Sequence, residues 1–262
     1  MQRIAILTYG VISYLIFFGT FLYALGFVGN VFVPKSIDTG VESGWLTALA
    51  VNTALLGIFA IQHSVMARPF FKRWLTQYVP AAAERSTYVL ASSIAFIALF
   101  WAWQPMATTV FSFEGEFARN AATALFFGGA GLVLYSTFLI DHFDLFGLRQ
   151  VILHFRGMPY TDKNFVTPSL YKHIRHPLYV GWFIVFWATP DMTVGHLLMA
   201  IGTTGYILVA IVFEERDLSD ALGAKYRTYR ERTPMFVPRI GGRSQGPTTE
   251  RRPSPTAART AA

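Results

Sequence analysis

The chain has 262 residues, of which 53% are hydrophobic and 14% charged, against about 25% charged in ordinary soluble domains. With 16% aromatic residues and the apolar residues gathered in long charge-free blocks, this composition fits a bilayer solvent and excludes a single soluble core. The net charge of +7 is carried largely by loops between the blocks and by the tail, so no nucleic-acid partner is expected, and the lack of cysteine removes disulfides, thiolate metal ligands and a cysteine nucleophile.

The first apolar run follows Arg3 and reaches toward Lys35. Its Ala24-Leu25-Gly26 resembles a cleavage site, but the run exceeds the about 7–15 residues of a secretory core, so it reads as a first transmembrane helix. Further blocks long enough to span run from Trp45 to about Met66, between Arg85 and Glu114, between Arg119 and Asp141, and from Met192 to Phe213. A shorter block, Leu178 to Thr189, is bracketed by Pro177 and Pro190 and falls short of a full crossing at the helical rise per residue. It is read either as a helix that begins before Pro177 or as one arm of a tight hairpin.

Loop charges set the expected topology. Arg68, Lys72, Arg73 and Arg85 fill one loop, Arg149, Arg156, Lys163, Lys172 and Arg175 another, and the segment after Phe213 is strongly basic. The Glu114–Glu116 loop is acidic and the Pro190-Asp191 turn has no base. Basic loops on the cytoplasmic side put both termini there, which needs an even number of crossings, six if the short block counts. The stretch Asp144–Phe155 reads as an amphipathic surface helix. The expected architecture is an all-α, multi-pass transmembrane bundle of about five to six crossings, its C-terminal pair a helical hairpin. It divides into a four-helix region at 1–140, a C-terminal region at 141–240 and a disordered tail at 241–262 rich in Gly, Ser, Pro, Thr and Arg.

Chemistry concentrates in the C-terminal region. Four of the six histidines, His142, His154, His173 and His176, fall between Asp141 and Pro177. Pro177 suits the first turn of a helix, which sets Arg175 and His176 at an N-terminus where backbone N–H groups favour an anion such as a carboxylate or phosphate. Glu214-Glu215-Arg216-Asp217 directly follows the last apolar block. Acidic residues are unfavourable at a helix C-terminus unless the helix continues past them, and they call for a cationic partner. That partner is either a ligand bearing an ammonium or sulfonium group or Arg175. Tyr226 and Tyr229, at i,i+3 spacing, are placed to wall a planar ligand or to meet a lipid surface. Gln62-His63-Ser64 puts polar groups at the end of the second block, where packing and function compete as explanations. Gly128-Gly129-Ala130-Gly131 lies inside an apolar block and reads as helix-packing sequence. No metal site is expected, and no G-x-S-x-G string supports a hydrolase.

The string Arg175-His176-Pro177-Leu178-Tyr179-Val180-Gly181, followed by a hairpin, Glu214-Glu215, Tyr226, Tyr229 and Pro234, resembles the isoprenylcysteine carboxyl methyltransferase-like superfamily over about the last third of the chain. Where that superfamily often has Gly-Pro-Tyr, this chain has Ser169-Leu170-Tyr171. Gln62 to Arg68 and Asp141 to Gln150 are similar to the nurim-like family, and within it to bacterial methanethiol S-methyltransferases. The resemblance implies a bacterial inner-membrane enzyme that uses S-adenosylmethionine to methylate a small thiol, with methanethiol giving dimethyl sulfide. It also implies membrane lipid as a partner. Methylation of a lipid or an isoprenoid-linked thiol or carboxylate stays open as an alternative, as does a non-catalytic nurim-like scaffold. Under the implied reading, His173, Arg175, His176, Tyr179, Glu214, Glu215, Tyr226 and Tyr229 hold the cofactor. His142, His154 or His63 acts as the base, with Asp144 as an orienter.

Overall fold

The computed structural model describes residues 1–161 and 165–238. The tail at 241–262 and Lys163 lie outside the described residues. Among the described residues five helices are long and apolar enough to cross a membrane: α1 (Gln2–Gly29), α2 (Trp45–Ala67), α4 (Ala81–Ala102), α5 (Glu116–Ile140) and α9 (Val194–Leu222). Short helices α3 (Pro69–Leu75), α6 (His142–Leu145), α7 (Leu148–Phe155) and α10 (Ala224–Arg232) lie between or after them, and α8 (Pro177–Trp187) is the short apolar helix. The chain is a multi-pass helical membrane protein.

Two faces can be told apart. On one, α7 packs on the N-terminal half of α1, where Gly10 abuts Val151 and Gly157 lies beside the Arg3 guanidinium. The C-terminal segment joins this face, since Arg175 N donates to Pro234 O and His176 N to Met235 O. On the other, β1 (Thr109–Ser112) pairs antiparallel with β2 (Asp191–Thr193). Strands of four and three residues have no readable alternation, and the ribbon is the departure from an all-helical sequence reading. Arg119 clamps it with two bonds to Asp191, at 2.8 and 2.7 Å, and those bonds hold the Asp191 carboxyl below its ordinary range. Fully buried Asn52 fixes the chain after α4 by donating to Gln104 O at 2.7 Å and accepting from Gln104 N at 2.9 Å.

The buried core joins Phe27 and Val28 of α1, Leu99 and Phe100 of α4, Phe126 and Ala130 of α5, Val185 and Phe186 of α8, and Met199, Ile207 and Ile211 of α9. Ile12, Leu22, Ile58, Ile97, Leu125, Leu208 and Val212 face outward. Apolar residues all round a helix are expected when both the bundle and the surroundings are apolar.

The short helix begins at Pro177 itself. Its 11 residues rise about 16 Å, roughly half of a hydrocarbon core of about 30 Å. Non-helical residues 188–190 carry the chain on to β2. Their backbone groups are met internally, with Ala188 N donating to Ile184 O and Phe113 N to Pro190 O, and at the end of α8 fully buried His196 donates from Nε2 to Phe186 O at 2.9 Å. Irregular backbone at this depth needs such protein partners. His196 has no sequence signal beyond its presence in an apolar helix; its role comes from the end of α8 lying beside it.

Helix α8 packs chiefly on α5, with backbones in close approach. A Cβ on Gly181 would sit 2.8 Å from Val133 N and 2.9 Å from Gly129 O, and one on Gly129 would sit 2.7 Å from Ile184 Cγ2. Gly128 and Gly131 meet nothing within 4 Å, so the glycine run works through one residue. Gly181→Ala should therefore lower stability by about 1–3 kcal/mol, because backbone atoms cannot step aside. Gly128→Ala should leave the midpoint of thermal unfolding in detergent unchanged, which serves as the matched control.

Candidate functional site

A cavity of about 530 Å³ lies among α1, α2, α4, α5, α8 and α9. Its walls are mostly aromatic, with Phe17, Phe21, Phe59, Phe96, Trp182 and Tyr206 among them. On α9 the lining positions 203, 206, 207, 210 and 214 recur at three- and four-residue spacing, so one stripe of the helix faces the chamber. Arg175, His176, Tyr179 and Glu214 line it, as do His63 and His142, so residues far apart in sequence share one space.

The α8 end is built around a buried ion pair. Arg175 Nε donates to Glu215 Oε1 at 2.7 Å, with both side chains about one-tenth exposed (9% and 10%). Arg175 Nη1 also donates to Arg230 O at 3.0 Å and to Thr233 O. His176 Nε2 meets the same Glu215 oxygen at 3.0 Å. The internal cation for the acidic pair is thus Arg175, and it serves Glu215. Glu214, one residue on and about 100° round the helix, points differently. Its side chain is 44% exposed, lines the cavity and accepts the Tyr179 hydroxyl on Oε2 at 2.8 Å. Helix α9 runs on to Leu222, which removes the end-of-helix penalty the acidic pair would otherwise carry.

Other expected residues are distributed more widely. Tyr226 is 2% exposed and packs on Phe165 and Tyr229, and neither α10 tyrosine lines the cavity. Tyr229 braces the site from behind by donating to Tyr171 O at 2.6 Å. Burial pushes its phenol up to about 12 and raises Tyr171 and Tyr226 as well, so all three stay protonated donors at neutral pH. His173 is exposed on the outer surface. Asp144 pairs with Arg149 of α7 at 3.0 Å rather than with a histidine, and its backbone N–H is capped by Asp141. His154 lines a second cavity of about 680 Å³ with Lys72, Glu84 and Asp144.

His142 is 2% exposed, stacked on Phe138 at 4.3 Å, and held by Tyr14 at Nε2 and Thr137 at Nδ1, both at 2.8 Å. Burial lowers its affinity for a proton. Ser169 stands in the left-handed region at φ 45°, where glycine is unstrained. The departure from Gly-Pro-Tyr therefore falls on a position whose geometry favours glycine. Among the described residues no group of three or more metal-type ligands comes together.

Fold and chamber together define a class: an integral membrane protein with a ligand-sized internal site, aromatic in its walls and charged at the α8 end. No family model matches the chain, and no solved structure does. Curated relatives do match over nearly its whole length. It is 52% identical over 244 residues to a methanethiol S-methyltransferase of Crocosphaera subtropica, covering 93% of this chain and 96% of that one. It is 52% identical over 238 residues to one of Mycobacterium tuberculosis, covering 91% and 98%. Mouse nurim is more distant, 29% identical over 203 residues, covering 71% of this chain and 77% of nurim. The chain belongs to the methanethiol S-methyltransferase family.

The Arg175–Glu215 pair makes a structural prediction. Glu215→Ala or Arg175→Met leaves a buried charge without its partner and should cost about 3–5 kcal/mol of stability. The double variant Arg175→Met with Glu215→Leu should lose less than the sum of the single losses. Thermal unfolding in detergent measures all three.

Proposed function

We propose that this protein transfers a methyl group from S-adenosylmethionine to the sulfur of methanethiol and releases dimethyl sulfide. The observation that carries the reading is the single chamber that combines aromatic walls, the half-exposed Glu214 carboxylate and the Arg175–His176 turn. Its volume of about 530 Å³ lies within the range of small-molecule and cofactor sites.

The donor set fits the cofactor. Glu214 keeps Oε1 for an ammonium or a ribose hydroxyl while Tyr179 holds Oε2. Arg175 commits Nε and Nη1 internally, leaving Nη2 for a carboxylate. Tyr179, Trp182 and the phenylalanines of the wall suit an adenine face and a sulfonium, which aromatic faces attract. When bound, the cofactor supplies an electrophilic methyl carbon on a sulfonium. The chain's own task is to hold the thiol in line with that carbon, keep water out and remove the thiol proton. A small alkanethiol is mostly protonated at neutral pH, by comparison with the cysteine reference of roughly 8.5, so a base in the chamber raises the reactive fraction. His63 lines the chamber and is the better-placed histidine, since the hydroxyl on its Nε2, that of Tyr88, also lines the chamber, whereas the Tyr14 hydroxyl on Nε2 of His142 does not. The basic α3, α7 and α10 segments share the face bearing both ends of the described chain. This supports a cytoplasmic orientation of that face in a bacterial inner membrane.

Purified protein incubated with S-adenosylmethionine and methanethiol should release dimethyl sulfide into the headspace. No product above a no-enzyme control overturns the reading, and a panel of larger thiols and lipids then tests other acceptors. Glu214→Gln removes a charge-assisted contact of about 1.5–3 kcal/mol, so KM for the cofactor should rise roughly ten- to hundredfold. Because Glu214 is half-exposed, the unfolding midpoint of that variant should stay at the wild-type value.

A further inference from the structure

Resting on the methyl-transfer reading above, we infer that the Tyr88 hydroxyl accepts the thiol proton, with His63 behind it as the base and Ser92 fixing the tautomer of His63. The hydrogen bonds leave one consistent set of proton positions. Ser92 Oγ donates its only proton to Tyr88 O at 2.9 Å, one helical turn back. Toward His63 Nδ1, at 3.1 Å, the same oxygen can therefore only accept. Gln62 Nε2, also a donor, approaches it at 3.4 Å. His63 thus carries its proton on Nδ1, and Nε2 is a lone pair. The Tyr88 hydroxyl, 2.8 Å from Nε2, donates to it. The chain of donors runs in one direction, from phenol to imidazole to Ser92 to the backbone.

The phenol oxygen keeps its lone pairs for another donor, and Tyr88, His63 and Ser92 all line the main chamber. Arg85, Tyr88 and Ser92 lie at three- and four-residue spacing on α4, which puts them on one helical face. The Arg85 guanidinium stands 5.2 Å from the Tyr88 ring centroid and also lines the chamber. A fixed cation there favours negative charge developing on the phenol oxygen or on the sulfur.

A second relay of the same direction sets the first apart. Thr137 Oγ1 donates to Leu134 O at 2.6 Å, so it accepts from His142 Nδ1, and Tyr14 donates to His142 Nε2. Tyr14 sits among Phe17, Phe18 and Phe143 and does not line the chamber. Only the Tyr88 relay presents its phenol to the reaction space.

In the step, the thiol S–H bond breaks and its proton bonds to the Tyr88 oxygen. Tyr88's own O–H bond breaks as that proton passes to His63 Nε2. The phenol is regenerated, and His63 becomes an imidazolium that donates from Nδ1 to Ser92. The sulfur keeps the electron pair of its S–H bond and forms the new bond to the methyl carbon. The pair of the breaking carbon–sulfonium bond stays on the departing sulfur, so one positive charge ends on His63.

The test compares methanethiol with methaneselenol, a nucleophile of similar size that is already ionised at neutral pH. Headspace analysis reads dimethyl sulfide and dimethyl selenide from purified protein with S-adenosylmethionine. Tyr88→Phe and His63→Gln should lose about 10²–10⁴-fold in kcat with the thiol but less than ~threefold with the selenol. Ser92→Ala, which deletes one oxygen and leaves phenol and imidazole in place, should show the same selectivity at roughly tenfold. It keeps the test decisive if either other variant does not fold. Tyr14→Phe should shift both rates equally. Equal losses for thiol and selenol in the Tyr88, His63 and Ser92 variants, or no loss with thiol, overturn the assignment while leaving the methyl-transfer reading intact. Wild-type protein inert toward both nucleophiles overturns that reading and this step together.

Discussion

The buried pair between Arg175 and Glu215 is the interaction on which the site depends. Arg175 lies just before α8, Glu215 on α9, and the carbonyls of Arg230 and Thr233 on the segment that closes the chain. One guanidinium therefore fixes the start of the short helix against two elements from later in the sequence. With charge on both partners and about one-tenth exposure, the pair persists only because its hydrogen bonds are satisfied; neither charge could stay buried alone. His176, bonded to the same carboxylate oxygen, is thereby oriented at the chamber wall.

The 11-residue helix α8 is held at both ends by other parts of the chain. The unmet backbone at its far end is handled by His196 and by the ribbon of β1 and β2. The near end is handled by the C-terminal segment, which accepts the N–H groups of Arg175 and His176. Irregular backbone within an apolar bundle needs such partners in the protein.

Neighbouring residues with the same chemistry carry different tasks. Glu215 is inward and structural, whereas Glu214 is turned toward the chamber and keeps an oxygen for a ligand. Two Tyr–His–hydroxyl relays share one polarity, yet only the one on α2 and α4 places its phenol at the chamber, since Tyr14 does not line it. Side-chain type does not separate these pairs; helical phase does, since adjacent residues differ by about 100° and the chamber occupies one sector of each helix.

Much of the architecture was legible in the chain itself. Long apolar blocks identify spanning helices because a bilayer leaves them no other way to satisfy their backbone, and the short block between Pro177 and Pro190 stood out as too short to span alone. The Arg175–Tyr179 string and Glu214-Glu215 also stood out, since charge beside an apolar block is costly without a use. Tertiary structure alone decided which acid pairs with Arg175 and that Tyr226 and Tyr229 support the site from behind. It also showed that Asp144 serves Arg149 and that Tyr88 and Ser92, ordinary residues within an apolar helix, stand beside His63. Local sequence encodes period and polarity, but contacts between residues tens of positions apart depend on how helices rotate and cross. Those angles are set by close packing such as that of Gly129 on Gly181, which no single segment contains.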